Sequence, residues 1–60
     1  MNKVVKILME RDGMSKDEAI ELVEETRDEI LACGGGDEAW DIIEDNLGLE
    51  PDYIFDILDI

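Results

Sequence analysis

Carboxylates dominate the reactive side chains of this sixty-residue chain, and three of them, Asp37, Asp41 and Asp45, recur at every fourth position. Asp52 and Asp56 repeat that interval, and Glu44 and Asp59 stand close by. Two carboxylates can share acid–base work when their surroundings push their pKa values apart. Asp37 with Asp41, or Asp52 with Asp56, are the candidate pairs. On the outer face of a helix, however, nothing desolvates one partner and raises its pKa above the other's. The chain contains no His, which removes the commonest general base and activator of a nucleophile. These residues therefore point to binding rather than catalysis, with no catalytic residue and no cofactor.

Acids also raise the question of calcium. Asp12-Gly13 followed by Asp17-Glu18 superficially resembles a binding loop, but Met14 and Lys16 stand where ligands are wanted. An EF-hand needs alternating oxygen ligands, Gly at the sixth position and Glu at the twelfth. No dedicated metal site is expected, only weak divalent binding to an acidic surface. Cys33 is the single cysteine, so no internal disulfide and no Cys/His zinc pattern can form. With nothing basic nearby to lower its pKa, it reads as a small apolar residue closing a helix. Gly34-Gly35-Gly36 could in principle cradle a phosphate ahead of a helix. It follows no strand, lacks the P-loop lysine and is succeeded by Asp37 and Glu38, which would repel the anion. A flexible or domain-swapping hinge is the reading adopted for it.

The elements that carry these residues follow from local punctuation. A first helix is predicted from Asn2 to Arg11, with Val4, Val5, Leu8 and Ile7 on its apolar face and Gly13 as a left-handed stop. Ser15 followed by Glu18 has the form of a capping box. It opens a helix to Cys33 whose apolar positions are Ala19, Ile20, Leu22, Val23, Thr26, Ile30 and Leu31. After the glycines, Asp37 is the expected N-cap of a third helix. Ala39, Trp40, Ile43 and Leu47 fall on one side of it, with Asp37, Asp41, Glu44 and Asp45 on the other, and Gly48 ends it. Trp40 is assigned to the core. Glu50-Pro51-Asp52 reads as a last helix start, with Tyr53 to Ile60 as its body. The fold class is all-α: one domain over 1–60, a compact bundle of three to four short helices.

A chain of this size buries only about 60% of the surface its unfolded form exposes, which leaves no room for a deep cleft. No apolar run approaches the roughly 20 residues needed to span a bilayer, and Met1 to Met9 lacks a signal-peptide core. A cytoplasmic location is expected. The formal charge is 5 − 18 = −13, and it is lopsided. All the cations, Lys3, Lys6, Arg11, Lys16 and Arg27, lie in the first 27 residues beside seven acids, leaving 18 − 7 = 11 acids and no cation from Asp28 onward. Direct binding to nucleic acid or to an anionic membrane is thereby disfavoured, because both require clustered Lys or Arg.

Like charges at i and i+4 destabilise a helix by a few tenths of a kcal/mol, roughly, per pair. The helix dipole offsets this for Asp37, Glu38 and Asp52 in first turns. It does little for Asp41, Glu44, Asp45, Asp56 and Asp59, so stability alone does not account for them. Carboxylates recurring every four residues rise about 6 Å, close to the separation of successive phosphates, so such a face can imitate DNA or RNA to a basic groove. The plainer alternative is that the acids only keep a small domain in solution. A second surface also competes for the binding role. Tyr53, Ile54, Phe55, Ile57, Leu58 and Ile60 cover most of the last helix, which either roofs the core or docks a partner or a second copy.

Leu8-Met9-Glu10-Arg11-Asp12-Gly13, Glu18-Ala19, Arg27 and Leu47-Gly48-Leu49-Glu50-Pro51-Asp52-Tyr53 together resemble small acidic helical proteins encoded by phages and mobile elements of Gram-positive bacteria. The resemblance spans most of the chain and contains no catalytic motif. It implies an inhibitor of host defence, of the anti-CRISPR type, acting in the cytoplasm of an infected or host bacterium. The expected partner is a basic nucleic-acid-binding protein, met by Asp37, Asp41, Glu44, Asp45, Asp52, Asp56 and Asp59. The alternative is a homodimeric interaction module using Tyr53, Phe55, Ile57 and Ile60.

Overall fold

The first two helices begin on side chains that accept from first-turn amides, and the first three end on left-handed glycines. The computed structural model describes residues 2–59. In α1, Lys3–Asp12, Asn2 is the N-cap: its Oδ1 accepts from the amides of Val4 at 2.8 Å and Val5 at 3.4 Å. The predicted start at Asn2 thus becomes the cap, and the helix runs one residue past Arg11. In α2, Lys16–Cys33, the Glu18 amide donates to Ser15 Oγ at 3.2 Å, and that hydroxyl donates to the Glu18 carboxylate at 3.1 Å. The reciprocal pair is therefore made by the serine hydroxyl itself, a variant of the expected capping box.

Gly34, Gly35 and Gly36 have φ of 82°, 85° and 76°, a left-handed run that side chains rarely adopt. The last of them, Gly36, takes the N-cap position of α3, Asp37–Leu47. Asp37, the expected cap, is instead the first helical residue, where its charge faces the positive end of the dipole. The C-terminal segment is shorter than predicted. Pro51–Tyr53 form a 3-10 turn, with the Tyr53 amide donating to the Glu50 carbonyl at 3.2 Å, and α4 spans Ile54–Leu58.

The longest helix, α2, touches α1, α3 and α4 and forms the spine of a body 29 × 16 × 15 Å. Its buried stripe is Ala19, Val23, Thr26 and Ile30. Against it pack Val4, Val5 and Leu8 of α1, Ala39, Ile43 and Leu47 of α3, and Ile57 of α4. Thr26 is the buried polar member of this set, and its hydroxyl donates to the Leu22 carbonyl at 2.9 Å while accepting from Asn46 at 3.4 Å. Two long-range contacts close the bundle. Asn2 Nδ2 donates to the Asp56 carbonyl at 2.6 Å, fastening the start of α1 to α4. The Arg11 guanidinium donates to the carbonyls of Leu47 at 2.5 Å and Gly48 at 3.2 Å, placing a cation on the negative end of α3.

Two apolar side chains depart from the expected core, Trp40 and Leu31, and Phe55 is also exposed. Trp40 is 50% exposed, Leu31 63% and Phe55 78%. Trp40 lies at the edge of the α3 stripe, about 60° round the wheel from Ile43. Medium aliphatic residues already fill the centre of the bundle, so the indole is left at the rim. Leu31 sits next to Ile30 at the end of α2, where no helix lies over it closely enough to bury it.

Candidate functional site: an acidic stripe and an aromatic groove

On α3 the buried positions are Ala39, Ile43 and Leu47, while Asp37, Asp41, Glu44 and Asp45 are all exposed. At 100° per residue these acids centre on the side opposite the core. They form one continuous stripe on the longest cation-free helix. The 3-10 turn and α4 pack against α3, which brings Asp52 into a groove with Trp40; Asp59, past the end of α4, is exposed. Asp56 differs from the others. It is half-buried, and its backbone carbonyl holds Asn2, so it is a flanking charge rather than an equal member of the stripe.

The ion pairs among the described residues lie outside this region: Arg11 with Asp12 at 2.8 Å, and Arg27 with Asp28 at 3.5 Å. Hydrogen bonding to the Arg11 guanidinium holds the Asp12 carboxyl below its ordinary range, and the same pairing raises the Arg11 pKa. Since no Lys or Arg occurs beyond residue 27, the α3 acids have no cation of their own segment to pair with.

Of the described residues expected to form an apolar interface, Tyr53, Phe55 and Ile57, Phe55 alone is well exposed. Ile57 is 0% exposed and belongs to the core, because the spacing that turns Phe55 outward turns Ile57 toward α2. Tyr53 is half-buried and packs against the core cluster. Ile60 lies outside the described residues. In place of that surface there is a groove of about 410 Å³ between α3 and the C-terminal segment, lined by Trp40, Pro51, Asp52, Ile54 and Phe55.

Further acids of the surface were not singled out from sequence. Glu18, Glu21 and Glu25 border a concavity with Met14 and Leu22. On the other side of Leu22, Glu25, Asp28, Glu29 and Asn46 border a second, with Asn46 Nδ2 donating to the Glu29 carboxylate. The signal was present: α2 carries seven acids in 18 residues. Counting charge over the first 27 residues concealed it, because Lys3 and Lys6 are exposed on α1 rather than on α2.

Cys33 is half-buried at the end of α2, and its thiol donates to the Ile30 carbonyl at 3.2 Å. Among the described residues, no three or more His, Cys, Asp or Glu converge so as to hold a metal ion, and no helix is long and apolar enough to cross a membrane. Fold and surface together define a small all-α bundle with an unneutralised carboxylate stripe beside an aromatic groove. No protein-family model matches the chain, and neither does any curated protein or solved structure.

Proposed function

We propose that this chain is a non-catalytic binding protein that occupies the basic nucleic-acid-binding surface of another protein. The observation that carries the reading is the α3 stripe: Asp37, Asp41, Glu44 and Asp45 are exposed, face away from the core, and share their segment with no cation. Such a row costs helix stability through like-charge repulsion at i and i+4. A groove lined with Lys and Arg would relieve that repulsion and would be drawn to the row at long range. Asp52 and Asp59 extend the contact and Asp56 flanks it. The resemblance to phage and mobile-element proteins directs the proposal to a host-defence protein, in the anti-CRISPR manner, inside an infected bacterium.

The test is capture from a Gram-positive bacterial lysate on immobilised protein, in parallel with Asp41→Lys/Asp45→Lys, elution by rising salt, and identification by mass spectrometry. The double variant has a formal charge of −13 + 4 = −9. The proposal expects a nucleic-acid-binding protein retained by the wild type, released by moderate salt and lost from the variant. Equal retention by both would remove the stripe from the interaction and overturn the reading.

A further inference from the structure

The groove between α3 and the C-terminal segment combines two exposed aromatic rings with a carboxylate in its lining, Asp52, and two more beside Trp40 on α3. Trp40 is 50% exposed and Phe55 78%, and both line the groove with Pro51 and Ile54. Side chains three and four residues apart are neighbours on a helix surface. On α3, Trp40 thus stands between Asp37, three before it, and Glu44, four after it. Asp52 itself lines the groove. An apolar floor with aromatic faces and a carboxylate rim suits a cation that is weakly hydrated and planar. Arginine fits this description better than lysine, because guanidinium stacks on aromatic faces and pairs with carboxylates through a fixed fork.

Charge argues against a second copy as the occupant. Each chain carries −13, and pairing this face with itself would bring Asp52, and Asp37 and Glu44 beside Trp40, against their own counterparts. We propose that the groove seats a segment of the partner that carries arginine among apolar residues, an arginine stacking on Trp40 and Phe55 and apolar side chains resting on Pro51 and Ile54. The inference rests on the proposed function and deepens it. The stripe supplies attraction to any basic surface, whereas the groove selects the arginine-bearing segment to be held.

The chain has a single Trp, so Trp40 emission reports directly on the groove. The probe is a capped peptide alternating Arg and Leu, titrated at 0.1 M salt against the wild type, Phe55→Ala and Asp41→Lys/Asp45→Lys, with capped oligoarginine, its Lys/Leu analogue and a Glu/Leu peptide for comparison. Phe55 is exposed, so its truncation preserves the fold, checked by circular dichroism. The expected result is a saturable change in Trp40 emission with Arg/Leu, tighter than with Lys/Leu and absent with Glu/Leu. Phe55→Ala should weaken it by at least about tenfold, as loss of an aromatic anchor does. The stripe variant should still saturate, with a shallower salt dependence. Oligoarginine bound as tightly as Arg/Leu, with Trp40 emission unmoved, would overturn the groove inference and leave the stripe reading standing. No binding of any cationic peptide would overturn both. A Trp40 signal that follows protein concentration alone, with dimers in sedimentation, would make a second copy the occupant and overturn the inference.

Discussion

Replacing Asp41 with lysine should stabilise this protein. Asp41 stands four residues from both Asp37 and Asp45 on the exposed side of α3, and each such like-charge pair costs about 0.2–0.5 kcal/mol. Lysine converts both repulsions into attractions of similar size, a swing of about 0.8–2 kcal/mol, and it is also the better helix former by a few tenths, roughly. The site is exposed, so no cavity or clash offsets the gain. In a domain of this length each kcal/mol moves the melting temperature by about 4–8 °C, so Asp41→Lys should melt about 4–15 °C above the wild type. Asp41→Asn, which only removes the repulsion, should give roughly half of that. Thermal melts followed by circular dichroism at low salt and at 1 M salt provide the assay. At 1 M the screening length is about 3 Å, so the difference should shrink to the propensity part. An Asp41→Lys protein melting at or below the wild type in low salt would mean that Asp41 makes a favourable contact and that the stripe is not an unrelieved cost.

The other predictions separate core from surface and test the joints. Ile57→Ala should destabilise by about 2–5 kcal/mol, as removal of a buried Ile does, while Phe55→Ala stays within about 0.5 kcal/mol; chemical denaturation distinguishes them, and equal effects would contradict the described packing of α4. Asn2→Ala removes an N-cap, which alone costs about 0.5–2 kcal/mol, and also the bond to Asp56; faster amide exchange in both α1 and α4 should follow, whereas exchange confined to α1 would show that the tether does not hold α4. The Asp12 carboxyl is held below its ordinary range by Arg11, so its contribution to stability is complete above the ordinary carboxylate pKa and is lost as pH falls through the lowered value. Asp12→Asn should flatten that acid-side decline, and an unchanged pH profile would show that the pair adds nothing to the fold.

Local chemistry made much of the fold legible. Ser15, Gly13, Gly48 and Pro51 act on backbone within a few residues of themselves, and their signals placed three helices and the start of the fourth segment. The four-residue interval likewise put Asp37, Asp41 and Asp45 opposite Ile43 before any packing was known. What sequence did not carry was which neighbour covers the flank of an apolar stripe. Trp40 and Leu31 hold helical spacing with buried residues, yet both are exposed, because burial at the edge of a stripe depends on how far the adjoining helix reaches. The same limit put Ile57 with Phe55 on the apolar interface, whereas Ile57 lies in the core and Phe55 is exposed. Half-burial of Asp56, and the reach of Arg11 to Leu47 and Gly48, belong to contacts between segments distant in sequence. The Trp40–Phe55 groove could not be read in advance, since it exists only where α3 meets the 3-10 turn and α4.

In the proposed function, the carboxylate stripe and nucleic acid compete for one basic surface. The most direct measurement is fluorescence anisotropy of a labelled oligonucleotide bound to the captured partner, titrated with this protein and with Asp41→Lys/Asp45→Lys. Complete displacement of the oligonucleotide by the wild type is expected, and displacement by the double variant only at concentrations about a hundredfold higher or more, because like-charge contacts across an interface cost several kcal/mol and about 1.4 kcal/mol is tenfold. Undiminished anisotropy at saturating wild-type protein, with all three molecules in one complex, would contradict it.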